Sequence, residues 1–353
     1  MAQPKNILII GGTGTIGGYI ALEAHSRGYA VTISGRKTLR RLASMAEKGL
    51  AIDYSSLAPT TEIRILTLER GRGDDPIVCT LRPATRDGAE YHALSYECED
   101  ESKNDHFITV DGCPVQIRMN LYDALKNIRK PTEDQRLRVD AICINQSDVQ
   151  EKSQQVAMMG EIFTNAVGVI SWLGPARDDS NLAIYMMFHN DTPDSSNKDS
   201  RELKTLLPLC RRRYWRRVWI IQELHLAKSY VVWCGHKSIP DHRFERALAG
   251  LNCQNDTYSD DFSQSPANQH LMARYFRYSE INNLYRRLSV CIRGEFQCTR
   301  EQDIIYALLN ISTDYKRVKE TFKIDYSKTP RDVFLKLLCQ GNLSTWRRGD
   351  EGS

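Results

Sequence analysis

The sequence predicts an α/β protein built on a parallel sheet, with extra β and helical elements added to it. Three observations carry that expectation. Short apolar runs alternate with amphipathic stretches between residues 91 and 174, the pattern of strands and crossover helices. A glycine-broken apolar run opens the chain. The composition, 353 residues with 41% hydrophobic and 26% charged, is that of an ordinary globular protein long enough for two domains.

Composition also removes several classes. A net charge of +4 is small beside 48 basic and 44 acidic side chains, so nucleic acid is not expected as a partner. No window approaches ~18 consecutive apolar residues, and the N-terminus lacks a signal peptide's apolar core and cleavage site. No membrane is therefore expected, and the location implied is cytoplasmic. Ten cysteines are scattered with no C-x-x-C, several inside apolar runs such as "DAICINQ" and "VVWCG". They read as reduced, buried thiols, with neither a disulfide framework nor a metal site.

The opening "NILIIGGTGTIGG", residues 6–18, is a strand-like run followed by Gly11, Gly14 and Gly17. Glycines at that spacing allow a tight turn and close approach to a pyrophosphate seated on the next helix N-terminus. "YAVTIS" reads as a second strand, and Arg36 follows where an acidic residue would take a ribose hydroxyl, so NADP is favoured over NAD. The stretch resembles the start of NmrA-like and extended short-chain dehydrogenases over residues 5–37. The remaining strands of a Rossmann domain do not follow, nor does a Y-x-x-x-K acid/base pair. The segment 1–55 is thus expected to be a partial βαβ unit, a fused remnant without catalysis of its own.

From about Glu62 a second unit begins. "EIRILTLE" and "PIVCTLRPA" read as paired strands joined by the polar "RGRGDD", with "YHALSYECED" as a further strand. In "NLYDALKNIRK", Leu121, Ala124, Leu125 and Ile128 recur at helical spacing behind Asn120, expected as N-cap. "RLRVDAICINQ" reads as a strand ending at Asp140. "DVQEKSQQVAMMGEIFTNA" reads as one amphipathic helix with Val156, Met159, Gly160 and Phe163 on a face, feeding the strand "VGVISWLG". Residues 177–204 read as a polar loop or insertion. A dense aromatic and basic element follows, "CRRRYWRRVWIIQELHLAKSYVVWCG".

In this order the pieces resemble the fungal heterokaryon incompatibility (HET) domain. The motifs are "ALSYECED", "LRVDAICINQSDVQEKSQQVAMMGEIFTNAVGVISWLG" and "RRYWRRVWIIQELHLAK", with "REQDIIYALLNIS" and "IDYSKTPRDVF" downstream, spanning about residues 62–335. One departure is visible: the first motif of that family reads S-Y-x-W-G-D, and Cys98 and Glu99 replace its Trp and Gly here. The resemblance implies a domain core over 62–240, a helical extension over 241–353, and a role in non-self recognition and programmed cell death through protein partners or self-association. The tail "STWRRGDEGS" has no recognisable closing element, and truncation of the chain is the expectation.

HET domains are in turn similar to Toll/interleukin receptor (TIR) domains, of flavodoxin-like fold. That likeness implies Glu223, in "WRRVWIIQEL", as the candidate catalytic residue of an NAD(P) glycohydrolase. Ser95 and Tyr96 in the first motif, Asp140, and Trp219 are the candidate cofactor-contacting residues. The chemistry is coherent: cleaving the nicotinamide bond develops positive charge on the ribose, which a nearby carboxylate stabilises. On a helix Trp219 and Glu223, four apart, share a face. The competing expectation is a structural ion pair between Glu223 and Arg216 or Arg217. Asn145 and Gln146 suit a turn as well as a ligand. Cys143, Tyr96 and Trp172 suit the core, and His225 needs no catalytic role. The arginines of "RRRYWRR" read as a solvated helix start with their stems over Tyr214 and Trp215, phosphate binding being the alternative. Three functional readings therefore stand: a signalling module, an NAD(P)-cleaving enzyme, and, third, an NAD(P)-binding oxidoreductase or redox sensor.

Overall fold

The structure is a computed structural model, and it describes residues 6–9, 30–33, 52–97, 106–189, 201–252, 262–275, 282–293, 296–313 and 322–339. In chain order the strands begin with β1 (Asn6–Ile9), β2 (Ala30–Ile33), β3 (Glu62–Leu68), β4 (Val78–Thr85), β5 (His92–Tyr96), β6 (His106–Val110) and β7 (Cys113–Ile117). There follow α1 (Met119–Ile128), β8 (Gln135–Arg138), α2 (Asp140–Cys143), α3 (Val149–Ala157), α4 (Met159–Asn165), β9 (Gly168–Trp172), α5 (Ser180–His189) and α6 (Arg201–Cys210). The remainder is a 3₁₀ turn (Arg213–Arg216), α7 (Trp219–Leu226), the hairpin β10 (Tyr230–Cys234) and β11 (Lys237–Pro240), then five helices. These are α8 (Asp241–Asn252), α9 (Pro266–Tyr275), α10 (Leu284–Arg293), α11 (Asp303–Leu309) and α12 (Pro330–Cys339).

β1 and β2 pair in parallel, Asn6 opposite Ala30 and Ile9 opposite Ile33, as a βαβ opening requires. Gly11, Gly14, Gly17 and Arg36, which would decide dinucleotide binding, lie outside the described residues, as do Cys98 and Glu99.

The chain divides into two compact units, the first drawing on the described residues of Met1–Leu57, Arg64–Pro83 and 106–137, the second on Ala58–Ile63, Ala84–Glu97 and the described residues from Arg138 onwards. In the first, the strand order is β8-β3-β4-β6-β7. β3 pairs antiparallel with β8, Leu66 opposite Leu137. The β6–β7 hairpin turns on Asp111 and Gly112, both at positive φ (50° and 82°), the conformation a two-residue primed turn needs. α1 buries Leu121, Ala124, Leu125 and Ile128 as their spacing dictates. Asn120 is not its cap: Arg118 holds that position without a side-chain bond, and Asn120 is buried in the first turn. The helix starts almost directly off β7, which leaves Asn120 inside it rather than ahead of it.

The second unit holds the parallel core. β5 pairs with β9 and β9 with β10, both in parallel, and β11 closes the edge antiparallel to β10. Every residue of β9 is buried, as an apolar strand covered on both faces should be. "RLRVDAICINQ" departs from the strand expected. β8 ends at Arg138, and residues 140–143 coil into α2, with Cys143 N–H donating to Val139 at 2.7 Å. Asp140 therefore opens a helical turn instead of ending a strand. The long amphipathic stretch keeps its predicted face but breaks at Met158 into α3 and α4, with Val156, Met159 and Phe163 buried. Asp148 caps α3 by accepting from Gln150 and Glu151.

The polar loop expected over 177–204 is overturned in part. α5 occupies Ser180–His189 and buries Ala183, Ile184, Met186 and Met187, and α6 begins at Arg201. The apolar "AIYMMF" core outweighs its polar flanks, while "NDTPDSSNKDS" falls outside the described residues. Of the cysteines described, six are buried, Cys298 is half-buried and Cys339 exposed, and none is paired. Burial pushes the Cys210 thiol up to about 12.

Candidate functional site

Ser95 and Ser171 are the polar interruptions of two apolar strands. They sit opposite each other near the carboxyl ends of β5 and β9, where ligands of open α/β sheets bind. Both are buried. Above them the 3₁₀ turn carries Tyr214, and α7 carries Glu223, each also buried. The Ser95 hydroxyl donates to the Glu223 carboxylate, and Ser95 Oγ lies 2.7 Å from the Tyr214 hydroxyl. An ionised carboxylate only accepts, so Ser95 gives it a proton and Tyr214 donates to Ser95 in turn, forming a short chain of hydrogen bonds. Arg217 Nη2 approaches Glu223 Oε1 at 3.7 Å.

The electrostatics follow from burial. Loss of water pushes the Glu223 carboxyl up; the Arg217 guanidinium and the Ser95 hydroxyl oppose that rise, and the nearby Asp140 charge adds to it. Burial and Glu223 likewise push the Tyr214 phenol well up, so it remains a protonated donor. Asp140, part-exposed, is held at 3.0 Å by the buried Arg138, which also reaches Gln155. Ser95, Asp140, Tyr214, Arg217 and Glu223 thus form one connected electrostatic group.

The predicted site residues divide accordingly. Glu223, Ser95 and Asp140 come together. Tyr96 is buried in the core. Trp219 directs its indole N–H to Asp303, in a separate cluster where Tyr326 also donates to Asp303 at 2.6 Å. The competing ion pair of Glu223 with Arg217 is present. Asn145 and Gln146 serve the turn: Ser147 N–H donates to Asn145 Oδ1, and the Gln146 amide donates to the Asp140 carbonyl. Cys143 and Trp172 are core residues. The "RRRYWRR" arginines depart from a uniformly solvated start. Arg212 is buried and clamps the Pro175 and Arg177 carbonyls, while Arg213 reaches Glu97.

Three partners were not singled out from the sequence. Tyr214 and Ser171 carried a usable signal, a polar group inside an apolar or aromatic run. Gln222 did not: fully buried, its amide nitrogen donates to the Ala307 carbonyl and its oxygen accepts from Gly160 N–H and Asn310, joining α7, α4 and α11.

The described core is α/β, with a buried carboxylate at the ends of its parallel strands. Residues 91–223, from Tyr91 to Glu223, match the family model described as "Heterokaryon incompatibility protein (HET)". The chain is also similar to "Heterokaryon incompatibility protein 6, OR allele" of Neurospora crassa, 28% identical over 341 residues, covering 75% of this chain and 50% of that protein. Residues 91–223 are therefore similar to the heterokaryon incompatibility domain, and the chain spans half the length of this curated relative. No solved structure matches it significantly. Among the described residues no helix is long and apolar enough to cross a membrane.

Proposed function

We propose that the chain acts as a cytoplasmic signalling protein of fungal non-self recognition, whose HET domain triggers programmed cell death through protein partners or self-association. The match over residues 91–223 carries this reading, and the compact polar cluster at its end supplies a part on which the output can depend. The test is inducible expression of the chain in a fungal host with vital-dye counting. Death on induction, reduced in Glu223→Ala at equal protein level, is the expected result; full viability of cells expressing soluble wild-type protein would sink the proposal.

One observation favours a second reading, cleavage of NAD or NADP by Glu223. A carboxyl raised by burial, beside a serine and a tyrosine at the ends of parallel strands, is the kind of perturbed group that marks reactive sites. For catalysis its oxygens must reach a ribose, yet only 4% of the residue is exposed, so a dinucleotide would have to displace part of the Ser95–Arg217 frame. Nicotinamide release by concentrated protein, abolished in Glu223→Gln, is the result this reading requires; no release from either would reject it.

A further inference from the structure

A guanidinium is the outermost member of the polar cluster. Glu223, Ser95 and Tyr214 are all buried, whereas the Arg217 side chain, 3.7 Å from the carboxylate, is 23% exposed. Among these groups it is therefore Arg217 that an approaching ligand meets first. The backbone of Arg217 is in turn held by a stretch that lies well downstream of α7. Gln297 N–H donates to the Arg216 carbonyl at 2.6 Å, and Val218 N–H donates to the Gln297 carbonyl at 2.9 Å. Residue 297 thus pairs with Arg217 as a one-residue parallel β-bridge. The bridge falls between the 3₁₀ turn that carries Tyr214 and the helix that carries Glu223, where it fixes the point from which the Arg217 side chain departs.

The stretch 296–298 is anchored on either side of that bridge. Phe296 N–H donates to the Cys291 carbonyl of α10 at 3.1 Å, and the Phe296 ring stands edge-on to His270 at 5.0 Å. Burial lowers His270 to about 4, so its ring is neutral at pH 7 and gives Nε2–H to the Trp215 carbonyl at 2.6 Å. Downstream, the Arg300 carbonyl accepts from Asp303 N–H at 2.9 Å as α11 begins. Residues 296–298 are therefore a strap from α10 to α11, laid across the Arg217 backbone. Gln297 is exposed, and backbone bonds at the surface open locally at a lower cost than those of a core.

We propose that this strap is an autoinhibitory contact: the bridge at Gln297 holds Arg217 across Glu223, and its opening releases the guanidinium and admits the ribose of a dinucleotide to the carboxylate. The identity of the ligand rests on the NAD-cleavage reading above; the strap does not. The test is carbodiimide labelling of the full chain in the presence of an amine, with the modified carboxylates located by peptide mass spectrometry and nicotinamide release from NAD measured in parallel. Glu223 of the wild type is expected to resist. Gln297→Pro, which deletes the N–H given to Arg216, should label Glu223 at least about fivefold faster, the factor that one lost backbone hydrogen bond gives. Gln297→Ala, which keeps both backbone bonds, should label as the wild type does. Asp303, a buried carboxylate bonded to Tyr326, reports global opening and should stay protected throughout. If Gln297→Pro does not fold, Phe296→Ala, which removes the ring set against His270, should give the same gain confined to Glu223. A gain accompanied by nicotinamide release supports strap and ligand together, and a gain without release upholds the strap while rejecting NAD cleavage. Unchanged labelling in the folded variants, an equal gain in Gln297→Ala, or equal gains at Glu223 and Asp303 would overturn the proposal.

Discussion

Replacing Glu223 by alanine tests whether the buried cluster is a structural keystone of the region that matches the HET family model. Ser95, 1% exposed, loses a charged acceptor, a loss of about 1.5–3 kcal/mol, held to the lower end because the Tyr214 hydroxyl at 2.7 Å remains. The Arg217 contact is 3.7 Å long and its side chain 23% exposed, so solvent screens it to about 1 kcal/mol or less. Removal of the buried methylene adds about 1 kcal/mol. Relief of the desolvation that raises the Glu223 carboxyl offsets part of this, leaving about 3 kcal/mol. Urea unfolding followed by tryptophan fluorescence, with Trp172 and Trp215 buried as reporters, should show the midpoint falling by roughly 1 M. A fall below about 0.3 M would refute the reasoning, since the carboxylate would then be solvated. The pH dependence supplies an independent check. A carboxyl raised in the folded state holds its proton more tightly there, so its contribution to stability falls as pH rises from the ordinary carboxylate value to the raised one. Glu223→Gln, which cannot ionise, should gain on the wild type across that window and level off above it.

The other predictions concern the frame around the site. His270, lowered to about 4 from 6.5, contributes stability above its unfolded value that is lost as pH falls from 6.5 through 4, about 3 kcal/mol in all. His270→Gln, which retains a donor, should flatten the unfolding midpoint across that range, and an unchanged slope would exclude His270 as its source. Asp148→Ala removes the α3 cap and should cost about 1 kcal/mol in thermal unfolding. Gly160→Ala would place a Cβ 3.0 Å from that of Asn310, tighter than packed carbons adopt, and should cost about 1–2 kcal/mol. A midpoint equal to wild type would mean that α11 yields freely there.

The sequence by itself determined the α/β class with a parallel sheet, the apolar face of α3 and α4, and the motifs that resemble the HET domain, because each rests on local periodicity or on a run of residues; that β5 pairs with β9 came from the structure. It also singled out Glu223 and Ser95 as candidates, and named Arg216 or Arg217 as the competing ion-pair partner of the carboxylate, of which Arg217 is the one in place. Only the tertiary structure decided that Ser95, Tyr214, Arg217 and Glu223 meet. Ser95 is 128 residues from Glu223, and no local pattern records a contact of that separation. The same holds where expectation and structure part. Residues 140–143 coil because backbone bonds close on Val139 and Asp140, α5 forms because its apolar core is buried by neighbours distant in sequence, and Trp219 turns to Asp303, 84 positions downstream. Local chemistry selects the elements; burial against distant partners selects which of their polar residues share a site.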